Sequence, residues 1–169
     1  DKGKINLLYV GRLDKSSKNF ELLLLTYKEL VDKNNKYFLT LLGSGNDKEF
    51  IIKLIDKYEL NDKVKMISSD INPYKYMKRA DAIILTSYYE GFPVIYLESL
   101  VLNKQVFTTV PTSDGFIDAK KSFNIINTNT KDNANIINNN LNNNLDYGFD
   151  YKKYNEYMLD KFIDKMEEK

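Results

Sequence analysis

Ala80–Leu102, ADAIILTSYYEGFPVIYLESLVL, is the stretch whose reading decides the fold. Ala82-Ile83-Ile84-Leu85 is a short apolar run that reads as a buried strand. A polar turn follows, from Thr86 through Ser87 to Gly91. Phe92-Pro93 then opens a helical pattern with Ile95, Leu97, Leu100 and Val101 as its apolar positions. Proline suits the first turn of a helix, where its missing N–H would have been unpaired anyway. Backbone amides at a helix start point outward and carry partial positive charge. The start at Gly91-Phe92-Pro93-Val94 is therefore a natural seat for a phosphate, framed by Glu90 in the turn and Glu98 further along the helix.

Outward from this stretch, the same alternation repeats. Ile5–Val10 reads as a first buried strand ending at Gly11-Arg12. Phe20, Leu23, Leu24, Tyr27, Leu30 and Val31 recur at helical spacing. Tyr37–Leu42 is a second strand, closed by Gly43-Ser44-Gly45, and Phe50, Ile51, Leu54, Ile55 and Tyr58 mark a second helix. Val64–Ile67 reads as a third strand and Pro73–Arg79 as a short helix capped by Asn72. Val106–Val110 and Phe123–Ile126 are the fifth and sixth strands. Asp132–Asn144 is asparagine-rich, yet Ile137, Leu141 and Leu145 keep a spacing of four, which favours a poor helix over disorder. Tyr154, Met158, Phe162 and Met166 mark a last helix with an apolar face.

The pattern predicts an α/β fold, a Rossmann-like doubly wound parallel sheet of about six strands with helices on both faces. Six such strands commonly take the order 3-2-1-4-5-6. Strands 1 and 4 are then neighbours, and the crevice between their carboxyl ends is where ligands bind. That brings Gly11-Arg12 to the loop from Ser87 to Gly91. Arg12 offers a planar fork to phosphate oxygens and Lys18 a mobile point charge. A carboxylate beside a diphosphate would be repelled but accepts paired hydroxyls well, so Glu90 and Glu98 read as facing away from the phosphates, as sugar contacts at opposite ends of a nucleotide diphosphate.

The 169 residues suit one domain with a full core, and the strand beginning at Ile5 suggests a domain cut from a longer protein. Twenty-five basic and 24 acidic residues leave a formal net charge of +1, so no strong field recruits nucleic acid or membrane. The chain has no cysteine and no histidine, which removes disulfides, Ser-His-Asp hydrolysis and histidine or cysteine metal sites. No apolar run approaches the ~20 residues of a membrane span, and the expected location is cytoplasmic.

These residues resemble the C-terminal, donor-binding domain of the retaining GT-B glycosyltransferases of family 4. The family pattern is present as Gly11-Arg12-Leu13, Lys18, and Glu90-Gly91-Phe92-Pro93 running to Glu98. Asn72-Pro73-Tyr74, Ala80-Asp81 and the turn from Pro111 to Gly115 resemble the branch that builds capsular and surface polysaccharides. The resemblance covers roughly residues 4–127. It implies that Arg12 and Lys18 clamp the donor diphosphate and stabilise the leaving charge. Glu90, with the amides of Gly91 and Phe92, would hold hexose hydroxyls, Glu98 the ribose, and the backbone at Ile67-Ser68 the base. No metal or other cofactor is implied, since the basic pair replaces it; UDP is the expected nucleotide. The acceptor would bind an N-terminal domain absent here, against which the helix spanning 150–168 would pack. The isolated domain would not turn over, and membrane contact would be peripheral and confined to the whole enzyme. Two departures stand out: Asn103-Lys104-Gln105 replaces a Gly-x-Pro turn, and Ser68-Ser69-Asp70 replaces a glycine-containing turn.

Blander readings stay open on sequence alone. Arg12 and Lys18 also read as surface charges, and Glu90 and Glu98 as a turn residue and a solvated helix position. A glycosidase acid/base pair is disfavoured, because nothing supplies the rest of such a cleft. Gly43-Ser44-Gly45 lacks the third glycine of a dinucleotide loop and follows the second strand, so it reads as a strand-to-helix turn. Lys120-Lys121 reads as a solvated turn. Two functional alternatives remain: a non-catalytic nucleotide-sugar-binding module and an epimerase-like GT-B domain.

Overall fold

A computed structural model describes residues 3–91, 94–112, 116–141 and 147–167. Strands and helices alternate: β1 (Ile5–Val10), α1 (Phe20–Lys33), β2 (Tyr37–Leu42), α2 (Lys48–Lys57), β3 (Val64–Ile67), α3 (Tyr74–Arg79), β4 (Ala82–Leu85) and α4 (Val94–Val101). They continue as β5 (Gln105–Thr108), α5 (Ala119–Ser122), β6 (Asn124–Ile125), α6 (Thr130–Asn140) and α7 (Tyr151–Glu167). The six strands form one sheet in the order β3-β2-β1-β4-β5-β6, with every pairing parallel. Helices cover both faces, which accounts for β4 and β5 being buried at every position. Register places Leu7 beside Leu39 on one side and Ala82 on the other.

Local chemistry explains most helix boundaries. Asn19 caps α1 by accepting from the Leu22 N–H, and Asn129 caps α6 by accepting from the Lys131 and Asp132 N–H groups. The expected cap at Asn72 is not formed. Pro73 already has helical dihedrals and occupies the cap position, while the Asn72 N–H donates to Asp70 Oδ1 at 3.0 Å. The fifth strand starts at Gln105 and ends at Thr108, short of the expected Val110, whose N–H turns back to the Thr108 hydroxyl instead of a neighbouring strand. The sixth strand is only Asn124–Ile125; Phe123 ends α5 and packs on Tyr96, ring centroids 4.6 Å apart. Lys120 and Lys121 lie in α5 rather than in a turn, and both are exposed. Asn103 adopts the left-handed conformation, φ 51°, which asparagine tolerates better than most residues, so the turn out of α4 survives without glycine.

The asparagine-rich stretch is helical as far as Asn140, and its residues 142–144 lie outside the described residues. α6 packs on α1 through Ala134 and Ile137, both fully buried. Leu145 lies outside the described residues. Asn133 is also fully buried; its Oδ1 accepts from the Asn127 N–H and its Nδ2 donates to the Asn127 carbonyl, each at 2.8 Å. α7 is anchored at its start by Tyr154 within a ring cluster of Phe116, Phe149 and Tyr157. Beyond that, Met158, Leu159, Phe162, Ile163 and Met166 are 39–60% exposed. No helix among the described residues is long and apolar enough to cross a membrane.

Asn133→Ala strips both partners from the Asn127 backbone and should cost about 1–3 kcal/mol, whereas exposed Asn139→Ala should stay within about 0.5 kcal/mol. Urea denaturation of the two variants measures the difference.

Candidate functional site

The site is built at the carboxyl ends of β1, β2 and β4. β1 runs out through Gly11, whose N–H donates to the Leu42 carbonyl at 3.1 Å. Leu13 continues the contact: its N–H donates to the Ser44 carbonyl, its carbonyl accepts from the Asp47 N–H, and its side chain is buried. The loop after β2 must therefore let a neighbouring backbone pass at contact distance. A Cβ on Gly43 would collide with the Gly11 carbonyl oxygen, and one on Gly45 with that of Leu13. These glycines accommodate protein, which answers why the Gly43-Ser44-Gly45 turn is made as it is.

The same β1–α1 loop is tied to the loop after β4. The Asn19 N–H donates to the Thr86 carbonyl and the Thr86 hydroxyl donates back to the Asn19 carbonyl, both at 2.7 Å. The Tyr88 N–H donates to the Ser17 carbonyl at 3.0 Å. Thr109, beyond β5, accepts from the Ser87 N–H and donates to the Ser87 carbonyl. Within this frame Lys18 Nζ lies on Glu90 Oε1 and 3.3 Å from Ser87 Oγ, and Ser87 Oγ donates to Glu90 Oε1 at 2.6 Å. The Lys18 and Glu90 side chains are 13% and 11% exposed. Arg12 is exposed, and among the described residues no hydrogen bond or ion pair engages its guanidinium.

Glu98 lies on α4 and accepts from the Tyr74 hydroxyl at 2.8 Å, a bond that raises the Tyr74 pKa. A cavity of about 190 Å³ is lined by Gly11, Arg12, Ser44, Ser69, Asp70 and Pro73. Ile67 and exposed Ser68 do not line it; the next two residues do. Asp70 is held below the usual carboxylate range, first by Lys75 at 2.6 Å and then by the Asn72 N–H. Asp14, at the start of the lysine-bearing loop, is lowered by the Ser16 hydroxyl and N–H. Gly91 is exposed and Val94 opens α4 with 64% exposure; Phe92 and Pro93 lie outside the described residues.

The structure brings Lys18, Ser87 and Glu90 together beyond β4, while Gly11 and Arg12 stand at the carboxyl end of the neighbouring β1 and line the cavity with Ser44 and Ser69. The sequence signals for Ser44 and Ser69 were the two short polar turns after the second and third strands. Tyr74 had only its place beside Pro73 to mark it. The two glutamates were expected to face away from the phosphate clamp, whereas Glu90 rests on Lys18.

Residues 1–158 match the family model of glycosyl transferases group 1, and the chain belongs to that family. Its sheet is that of the Rossmann-like half of GT-B glycosyltransferases. It is 38% identical over 103 residues to the N-acetylgalactosamine-N,N'-diacetylbacillosaminyl-diphospho-undecaprenol 4-alpha-N-acetylgalactosaminyltransferase of Campylobacter jejuni, covering 61% of this chain and 27% of the relative. It is 32% identical over 93 residues to the amylovoran biosynthesis glycosyltransferase AmsD of Erwinia amylovora, covering 55% and 26%. The pneumococcal O-GlcNAc transferase GtfA, in complex with UDP and GlcNAc, has the same fold with a TM-score of 0.76 at 16% identity, covering 99% of this chain and 37% of that one. The chain spans about a quarter of the length of the curated relatives it matches.

Because Gly43 abuts the Gly11 carbonyl and Gly91 has no neighbour a Cβ would meet, the two glycines should respond differently to alanine. Gly43→Ala should cost about 1–3 kcal/mol as the Gly11–Leu13 turn is pushed out, and Gly91→Ala less than about 1 kcal/mol, both read from urea midpoints.

Proposed function

We propose that this chain is the donor-binding half of a retaining glycosyltransferase that moves a hexose from a nucleotide-sugar to a polysaccharide or lipid-linked acceptor. The observation that carries this reading is the Lys18–Ser87–Glu90 cluster beyond β4, beside the neighbouring strand β1 that ends in Gly11-Arg12. Ligands of doubly wound sheets bind at such a switch point.

The geometry supports the following roles. The exposed guanidinium of Arg12 grips diphosphate oxygens in a planar fork, and Lys18 adds a positioned charge. Together with the amides at the start of α4 they stabilise negative charge as the nucleotide leaves, with no metal required. Lys18 and Ser87 both use Oε1 of Glu90, which leaves Oε2 for a hexose hydroxyl. Tyr74 uses Oε1 of Glu98, which leaves Oε2 for the ribose. The cavity lined by Ser44, Ser69 and Pro73 receives the base.

UDP as the nucleotide is supported by the UDP in the GtfA complex, and a lipid-linked acceptor by the diphospho-undecaprenol in the Campylobacter relative's name. In the whole protein the apolar face of α7 packs against the acceptor-binding half, and any membrane contact is peripheral.

Calorimetry with UDP and a UDP-hexose tests the reading. Arg12→Ala should cost about 1.5–3 kcal/mol of UDP binding. Glu98→Ala should weaken UDP and UDP-hexose alike, whereas Glu90→Ala should narrow the advantage of UDP-hexose over UDP. Wild-type UDP affinity in both Arg12→Ala and Lys18→Ala would refute the diphosphate clamp.

A further inference from the structure

Tyr9 is the penultimate residue of β1, and by pattern it is a core residue. It is fully buried, with 0% exposure. Its hydroxyl, however, reaches the end of the strand and donates to the Arg12 carbonyl at 2.7 Å. Its ring stands edge-on to Phe20, with centroids 5.2 Å apart. Phe20 opens α1 two residues after Lys18, and its N–H donates to the Lys18 carbonyl at 3.1 Å. One side chain thus touches the backbone that carries Arg12 and the helix start that carries Lys18. The space is closed on the remaining side as well: a Cβ on Gly11 would lie 3.1 Å from the Tyr9 hydroxyl oxygen. The hydroxyl therefore fixes the path of the Gly11-Arg12 turn.

We infer that Tyr9 is a positioning residue for the diphosphate clamp, its hydroxyl setting the turn that aims Arg12 and its ring setting the start of the helix that follows Lys18. This rests on the clamp reading above. Burial, and then the Glu90 and Asp14 carboxylates, raise the pKa of this phenol, so it stays a hydrogen-bond donor throughout the neutral range. A phenylalanine keeps the ring and the packing on Phe20 and removes only the bond to the Arg12 carbonyl. Its effect should therefore appear where Arg12 meets phosphate and nowhere else.

The test compares Tyr9→Phe with wild type for UDP and for uridine by calorimetry, with a urea denaturation curve for each protein. Tyr9→Phe should bind UDP about fivefold more weakly, the equivalent of one lost hydrogen bond, and bind uridine unchanged. In an Arg12→Ala background the same change should have a smaller effect on UDP, because its target is gone. Equal losses for UDP and uridine, or unchanged UDP affinity in a variant whose partner Arg12→Ala is impaired, would overturn the positioning role alone. UDP affinity untouched by Arg12→Ala and Lys18→Ala would overturn it together with the clamp.

Discussion

The reciprocal bonding between Asn19 and Thr86 is the constraint on which the site depends. β1 and β4 pair through only two residue pairs, Leu7 with Ala82 and Leu8 with Ile83. Beyond them the strands have no ladder left to hold their loops together. The two 2.7 Å bonds between Asn19 and Thr86, and the bond from Tyr88 to Ser17, extend the contact past the sheet. Thr109 adds the third strand end by bonding both polar groups of the Ser87 backbone. Loops that are about seventy residues apart are thereby tied together. Groups held this way are preorganised, which is what the proposed diphosphate clamp would need.

The opposite side of the crevice is organised by absence of side chains. Gly43 and Gly45 give way to the backbone from Gly11 to Leu13, and buried Leu13 pins that backbone down from within. The exposed residue between these anchors is Arg12. Its charge is free to face a ligand because the residues on both sides carry the structural duty. A glycine-rich turn can exist to admit a phosphate or to admit a neighbouring chain. Here the collisions are with protein carbonyls, which decides for the second.

Much of this was legible in the chain itself. The strands were visible as apolar runs and the helices as spaced apolar positions, so the order of the sheet, and with it the adjacency of the strands that lead to Arg12 and Glu90, followed from a rule about connections. Even the asparagine-rich helix was betrayed by Ile137 and Leu141. What escaped were contacts whose partners are far apart in sequence and whose residue types are unremarkable. Asn72 has the composition of a helix cap, yet Pro73 had already entered helical dihedrals and Asp70 had taken the Asn72 N–H. Val110 looks like a strand residue, but Thr108 and Thr109 turn to side-chain bonding first. Tyr9 reads as core and is core; only the destination of one oxygen atom gives it a second duty, and pattern does not encode that.

The pairing of Glu90 with Lys18 changes how the two cations should be regarded. A lone carboxylate at a diphosphate site would repel the ligand, which is why both glutamates were expected to stay clear of it. In contact with Lys18, Glu90 forms a nearly neutral pair. In the proposed clamp the net attraction for a diphosphate would then fall to exposed Arg12 and the amides at the start of α4. The two cations are therefore unequal. Losing Arg12 removes an attraction, while losing Lys18 also leaves a largely buried carboxylate uncompensated, which is costly to the fold as well as to binding. On the proposed clamp, Arg12→Ala would change binding alone, and Lys18→Ala would change binding and stability together.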